Sequence, residues 1–191
     1  MQDTRHRCSW TGSDPLYIRY HDEEWGVPVH DDKTLFEFLV LESAQAGLSW
    51  STILKKRENY RQAFANFDIT KVARYTQEDV DTLLSNQGIV RNRLKITAAI
   101  NNAQRFLEIQ KEHGNFARYQ WQFVDNAPKQ NKWRDTSQIP AITLESERFS
   151  KDLKKRGFRF LGPTTVYAHM QATGMVNDHT IDCFRYAELS H

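Results

Sequence analysis

The chain has 191 residues, 39 % of them apolar, with five Trp, seven Tyr and eleven Phe, which is enough for one domain with a sizeable core. A formal net charge of +2 neither demands nor excludes a nucleic-acid partner, because the distribution of charge decides that. No apolar run approaches the ~20 residues that cross a bilayer, and Met1–Cys8 is too charged and polar for a signal peptide, so no membrane partner is expected and the compartment is read as reducing and cytoplasmic.

In chain order, Trp10, Tyr17, Tyr20 and Trp25 crowd the N-terminal segment. Asp31 or Asp32 can cap a helix that runs through Leu35, Phe36, Leu39, Val40 and Ala46 to Gly47. Ser49 can start the next, with Trp50, Ile53, Leu54, Arg57 and Phe64 at helical spacing. Thr76 and Asp79 resemble a capping box ahead of Val80, Leu83 and Leu84. A long helix is expected over about Val90–Lys111, stopping before Gly114. Another should end at Gly157, where Lys154-Lys155-Arg156 suit a helix C-terminus, and one more runs from Pro163 to about Gly174. Tyr119–Val124 is the best short alternation of period two, a weak strand signal, and Trp133–Thr143 reads as irregular. There are no repeats, low-complexity segments or linkers, and no long apolar surface stripe is left over, which favours a monomer.

Cys8, His21, His179 and Cys183 are the two cysteines and two of the seven histidines, in matched pairs near opposite ends of the chain. Two thiolates and two imidazoles make a full tetrahedral zinc shell, and a His-x3-Cys arm lets one turn of chain present two ligands. Such an ion would clip the two termini together and, with no open position, be structural. Two free buried thiols are the alternative reading. Asp178 and Asp182 flank the second pair as substitute ligands, and a Cys8–Cys183 disulfide is disfavoured by the reducing compartment.

Glu42 lies in one stripe with Leu35, Leu39 and Ala46. Burying an unpaired carboxylate costs several kcal/mol, so Glu42 must be paired, protonated, or facing a pocket; a buried Glu paired with an arginine or capping a nearby helix is the bland reading, and desolvation alone would raise its pKa. Trp50 stands eight residues further on, at the mouth of the next helix. An acid walled by indoles and phenols suits a flat, electron-poor or cationic ring, with ~1–3 kcal/mol per stacked base and about 2 kcal/mol for a desolvated cation over an indole.

The segment Leu83–Arg93 has the outline of a helix-hairpin-helix, whose turn N–H groups and following helix N-terminus face a phosphate without reading sequence. Gly88 would supply positive φ, and Arg91, Arg93 and Lys95 would bring cations. An ordinary helical corner is the alternative. The segment also departs from the common pattern: a second glycine is missing near Arg91, and Asn86 replaces an apolar residue.

Taken together, these pieces closely resemble the 3-methyladenine DNA glycosylase I family, over nearly everything from Arg7 to Cys183. The resemblance is carried by Arg7-Cys8-Ser9-Trp10, Asp14-Pro15-Leu16-Tyr17-Ile18, Tyr20-His21-Asp22 and Glu24-Trp25-Gly26-Val27-Pro28. It continues through Leu41-Glu42, Gln45-Ala46-Gly47-Leu48-Ser49-Trp50, Leu54-Lys55-Lys56-Arg57-Glu58-Asn59-Tyr60 and Val176-Asn177-Asp178-His179. It implies an all-α helix-hairpin-helix glycosylase fold, with residues 1–191 forming a single domain of two helical lobes and a base pocket between them. It implies a structural zinc on Cys8, His21, His179 and Cys183, one per chain, and no organic cofactor. Glu42 would hydrogen-bond the alkylated adenine, Tyr20, Trp25 and Trp50 would line or stack on it, and Trp10 and Tyr17 would sit nearby. The turn with Gln87, Gly88, Ile89 and Arg91 would lie on the backbone of double-stranded DNA. Ser43-Ala44 after Glu42 departs from the frequent Gly-Gln and would alter pocket shape only slightly.

The implied activity is monofunctional hydrolysis of the N-glycosidic bond of 3-methyladenine. An N3-alkylated adenine is already cationic and a good leaving group, so recognition can supply most of the rate. No Asp follows Gly88 until Asp125, which fits an enzyme without the catalytic Asp of the wider superfamily, and no lysine is needed for a Schiff base. A non-catalytic lesion reader and a zinc-stabilised protein-binding scaffold are the rival readings.

Overall fold

The structure, a computed structural model, describes residues 4–190. Among the described residues ten α-helices carry the fold: α1 Pro15–Glu23, α2 Asp32–Gln45, α3 Trp50–Ala63, α4 Ile69–Val72, α5 Gln77–Ser85, α6 Arg93–His113, α7 Phe116–Trp121, α8 Leu144–Lys155, α9 Pro163–Ala172 and α10 Phe184–Glu188. Among the described residues the one sheet is a parallel pair, β1 Lys129–Gln130 with β2 Val176–Asn177, in register Lys129 to Val176. The all-α expectation therefore holds.

α2 is the central element. Every residue from Leu35 to Ala44 is buried, and the helix packs against α3, α6, α7 and α9. A helix apolar on nearly all faces can only be an interior one. Around it Phe36, Phe67, Phe106, Phe116, Phe149 and Met170 form the larger apolar cluster. A second, smaller cluster joins Cys8, Tyr20, Trp25, Phe38, Leu54, Ala172 and Cys183. The functional features described below lie on this smaller cluster.

The local stop and start signals act largely as read. Asp31 caps α2, accepting from Thr34 N at 2.8 Å. Asp32 instead caps α7 from a distance, accepting from Phe116 N at 2.8 Å and Ala117 N at 3.0 Å. Ser49 caps α3, and Thr76 with Asp79 forms the capping box of α5. The segment 133–143 is irregular apart from a short 3-10 turn at Thr136–Gln138.

Four expectations are corrected. Tyr119–Val124 is not a strand: it completes α7 and a 3-10 turn, because Tyr119 and Trp121 are buried on the helical core. Burial of such side chains contributes ~1.5–3 kcal/mol each, which outweighs a six-residue alternation. α6 begins at Arg93 and not Val90, since the Asn92 side chain caps it at Lys95 N and Val90 N is tied to Tyr60 Oη. Ala46 does not share the buried stripe of Leu35, Leu39 and Glu42; it is the exposed residue that closes α2. Gly88 has no positive φ. Its glycine requirement is one of space, because a Cβ there would lie 2.9 Å from Asn59 Cβ on α3.

Candidate active site and metal centre

Glu42 sits on the last full turn of α2 and is 4 % exposed. Its carboxyl has no hydrogen bond or ion pair among the described residues. The guanidinium of Arg57, on the next helix, serves Glu37 at 2.6 Å and Glu24 at 2.6 Å instead. Of the outcomes open to Glu42 in the sequence, pairing is not found; the carboxyl faces a pocket, and burial favours its protonated form. A cavity of about 440 Å³ opens beside it, lined by Trp10, Tyr17, Tyr20, Trp25 and Trp50 among others. Burial alone, with no cation to offset it, pushes the Glu42 carboxyl up to about 8.

The aromatic wall is continuous. Trp10 lies 5.0 Å from Tyr17 and 4.9 Å, edge-on, from Trp25. Tyr17 stacks on Tyr20 at 6.4 Å, and Tyr20 meets Trp50 at 5.5 Å. Trp50 is the first residue of α3, placed there by the Ser49 cap. Its indole Nε1 is buried without a protein partner. Burial, then the charge of Glu42, raises the phenol pKa of both Tyr17 and Tyr20.

Sequence reasoning missed the opposite wall. Thr136, Ile139, Pro140 and Ala141 come from the irregular segment, and Thr164, Tyr167 and Gln171 from α9. No motif marks them, because only folding brings residues about 100 positions from Glu42 to the same cavity. Leu48 was also missed. It is 38 % exposed in the loop between Glu42 and Trp50, with its carbonyl held by Gln45 Nε2 at 2.6 Å.

Behind the aromatic wall the four anticipated ligands meet. The donor atoms of Cys8, His21, His179 and Cys183 all lie within 4.8 Å of one another, and all four residues are buried. Cys8 Sγ is 3.6 Å from His179 Nδ1, and Cys183 Sγ is 3.4 Å from His21 Nε2 and 3.5 Å from His179 Nδ1. A tetrahedral zinc with usual bond lengths separates S and N by about 3.6 Å. The outward ring nitrogens are held as a metal site requires: His21 Nδ1 donates to Asp22 at 2.8 Å and His179 Nε2 to the Trp25 carbonyl at 2.9 Å. Each ring therefore turns a lone pair toward the centre. The mutual hydrogen bond of the two thiols and burial push the Cys8 thiol up, while the same bond, with those to His179 and His21, holds the Cys183 thiol down. The donor set thus fits a divalent ion with thiolate preference. The disulfide and the substitute ligands fall away: Cys8 and Cys183 are not bonded to each other, Asp182 is engaged with His6 at 2.9 Å, and Asp178 accepts four other bonds.

At the other end of the site, α5 and α6 are joined by the turn 86–92. Its N–H groups are not all available. Gly88 N donates to Asn86 Oδ1, Ile89 N to Asn86 O and Val90 N to Tyr60 Oη. Those of Gln87 and Arg91 have no partner among the described residues. Ile89 is core. Of the three cations expected here, Arg93 pairs with Asp81 at 2.9 Å, and Lys95 caps α2 through the carbonyls of Ala44 at 2.8 Å and Ala46 at 2.6 Å. Arg91 alone of the three is exposed and without a partner among the described residues. Lys56 holds the turn from α3 through the Gln87 carbonyl at 3.1 Å.

Fold and site define a helical protein that offers a flat ring an aromatic cavity with one unpaired acid, braced by a buried Cys2His2 cluster. The methyladenine glycosylase profile matches residues 10–186, and the chain belongs to that family. It is 51 % identical over 180 residues to DNA-3-methyladenine glycosylase 1 of Escherichia coli K12, covering 94 % of this chain and 96 % of that protein. It is 48 % identical over 177 residues to the Haemophilus influenzae DNA-3-methyladenine glycosylase, covering 93 % and 96 %. The solved 3-methyladenine DNA glycosylase I of Staphylococcus aureus superposes with a TM-score of 0.91 at 41 % identity, over 95 % of this chain and 97 % of that one.

Proposed function

We propose that the protein is a DNA glycosylase that hydrolyses 3-methyladenine from alkylated double-stranded DNA, the first step of base-excision repair. The observation that carries this is Glu42: an acid with no cation of its own, buried beside a base-sized aromatic cavity. A base made cationic by alkylation supplies the missing countercharge, and neutral adenine does not. Selection by charge then distinguishes damaged from normal purine.

The residues take these roles. Glu42 accepts from the exocyclic amine and stabilises the positive ring. Trp50 stacks on it, and Tyr20, Trp25, Trp10 and Tyr17 exclude water. The nucleotide must leave the duplex first, at a cost of a few kcal/mol that damage reduces. In this reading the exposed Leu48 would fill the gap this leaves, as apolar wedges do. The unit α5–turn–α6 acts as a helix-hairpin-helix on the DNA backbone. Here its donors are the N–H groups of Gln87 and Arg91 and the Arg91 side chain, while Gly88 and Ile89 give the turn its shape. The Cys2His2 cluster holds a structural zinc, supplying a cross-link and no chemistry at the base. We read the chain as a single domain acting as a monomer in the cytoplasm, with the cavity at the smaller apolar cluster. No described helix is long and apolar enough to cross a membrane.

The test is product release from methylated duplex DNA. Free 3-methyladenine should appear with an abasic site and no strand cleavage; intact glycosidic bonds despite DNA binding would leave only a lesion reader. Trp50→Ala should lower kcat/KM by roughly 5- to 150-fold, the equivalent of ~1–3 kcal/mol of stacking. Arg91→Ala should weaken binding to damaged and undamaged duplex alike and reduce the salt slope of log K by about 1, readable by fluorescence anisotropy. An unchanged slope would remove Arg91 from the interface.

A further inference from the structure

Asp178 is fully buried and has no cationic partner among the described residues, yet all its acceptor positions are used. Asn131 Nδ2 and Trp133 Nε1 donate to Oδ1 at 2.7 and 2.8 Å. Tyr167 Oη and Gln171 Nε2 donate to Oδ2 at 2.6 and 2.8 Å. Tyr167 and Gln171 stand four residues apart on α9, on one face, and both line the cavity that holds Glu42. A carboxylate oxygen only accepts, so it fixes which way round the Gln171 amide lies. The nitrogen faces Asp178, and Oε1 is turned away from it. That oxygen has no partner among the described residues and is not one of the fully enclosed unpaired atoms.

We propose that Gln171 is a specificity-determining residue of the base pocket, an acceptor oriented by Asp178 that favours a purine with an exocyclic amine over one with a carbonyl at that edge. The inference rests on the base-excision reading above. An amine carries two hydrogens, so acceptors on two helices, Glu42 on α2 and Gln171 on α9, are satisfied by one such group. A carbonyl at the same place meets Gln171 Oε1 acceptor to acceptor, and an unpaired buried polar atom is costly. Asp178 is a positioning residue: it touches no base, and acts by fixing the amide.

The experiment compares binding of free 3-methyladenine and 3-methylhypoxanthine, which differ in amine against carbonyl, by the wild type, Gln171→Leu and Asp178→Asn. The wild type should prefer the amine. Gln171→Leu, which keeps the volume, should lose about tenfold of that preference, with metal content unchanged and the melting temperature lowered by the loss of one donor to the buried Asp178. Asp178→Asn can donate as well as accept, so it releases the amide and should also reduce the preference. A ratio unchanged in Gln171→Leu, even with both affinities lowered, overturns the proposal, and that variant decides alone if Asp178→Asn fails to fold. A wild type without affinity for 3-methyladenine would instead overturn the base-excision reading, and this inference with it.

Discussion

Glu42→Gln is expected to lower excision of 3-methyladenine by about 100-fold or more while making the ligand-free protein more stable. The activity loss follows from removing a charged acceptor that the cationic base alone can neutralise; ~3 kcal/mol of charge-assisted hydrogen bonding corresponds to that factor. The stability gain follows from the raised pKa. The folded protein holds this carboxyl at about 8, against 4.5 for an ordinary glutamic acid. Its protonated form is the one the fold accommodates, so its favourable contribution is complete below about 4.5 and is lost as pH rises through 8. A glutamine cannot ionise. The variant should therefore gain on the wild type across that window and reach a ceiling of a few kcal/mol above it. Denaturant melts at several pH values check this; equal stability at all pH would show that the carboxyl is not desolvated.

Catalysis should carry the opposite dependence. A cationic base binds best to the ionised acid, so wild-type kcat/KM should rise with pH by up to about tenfold per unit below 8 and level off above it. Glu42→Gln should be flat over that range. The same residue is thus a stability cost in the empty protein and the source of selectivity in the complex.

Disruption of the proposed zinc site is expected to have the second large effect. Cys183→Ser, or treatment with a strong chelator, should lower the melting temperature by ~10 °C or more, since losing about 4 kcal/mol shifts a domain of this size by that amount. The reason is connectivity. The four ligands tie the segment at Cys8, helix α1 and the chain after β2 into one buried knot. Activity should fall too, because the cluster is the back of the aromatic wall. Trp25 lies 4.6 Å from His179 and gives it the carbonyl that orients the ring, and Trp10 packs edge-on against His21 at 5.2 Å. Elemental analysis should return one zinc per chain in the wild type and less in the variant. A wild type that is metal-free and equally stable would refute the structural assignment.

Much of this was legible in the chain. Caps, capping box and glycine stops are local chemistry, readable over four or five residues, and they place α2, α3, α5, α8 and α9 to within a few positions. The ligand quartet was legible because Cys and His are few and their spacing is distinctive. Glu42 was legible because a charge on an apolar stripe demands an explanation. What failed was whatever depended on a partner far away in sequence. Tyr119–Val124 became helical because Phe149 waits to pack on Tyr119 and Phe123. Gly88 is small because Asn59 is close, and Lys95 serves α2 instead of a phosphate because the C-terminal carbonyls of that helix lie within its reach.

The sequence by itself determined that this is a helical protein with one Cys2His2 quartet and one misplaced acid, because each of those is a property of residue type and short-range spacing. Only the tertiary structure decided that the acid is unpaired, that α9 and the segment 136–141 line its cavity, and that Asp178 holds the Gln171 amide by its nitrogen. Those are questions of which groups are left without a partner, and a linear chain cannot answer them until folding has assigned every other donor and acceptor.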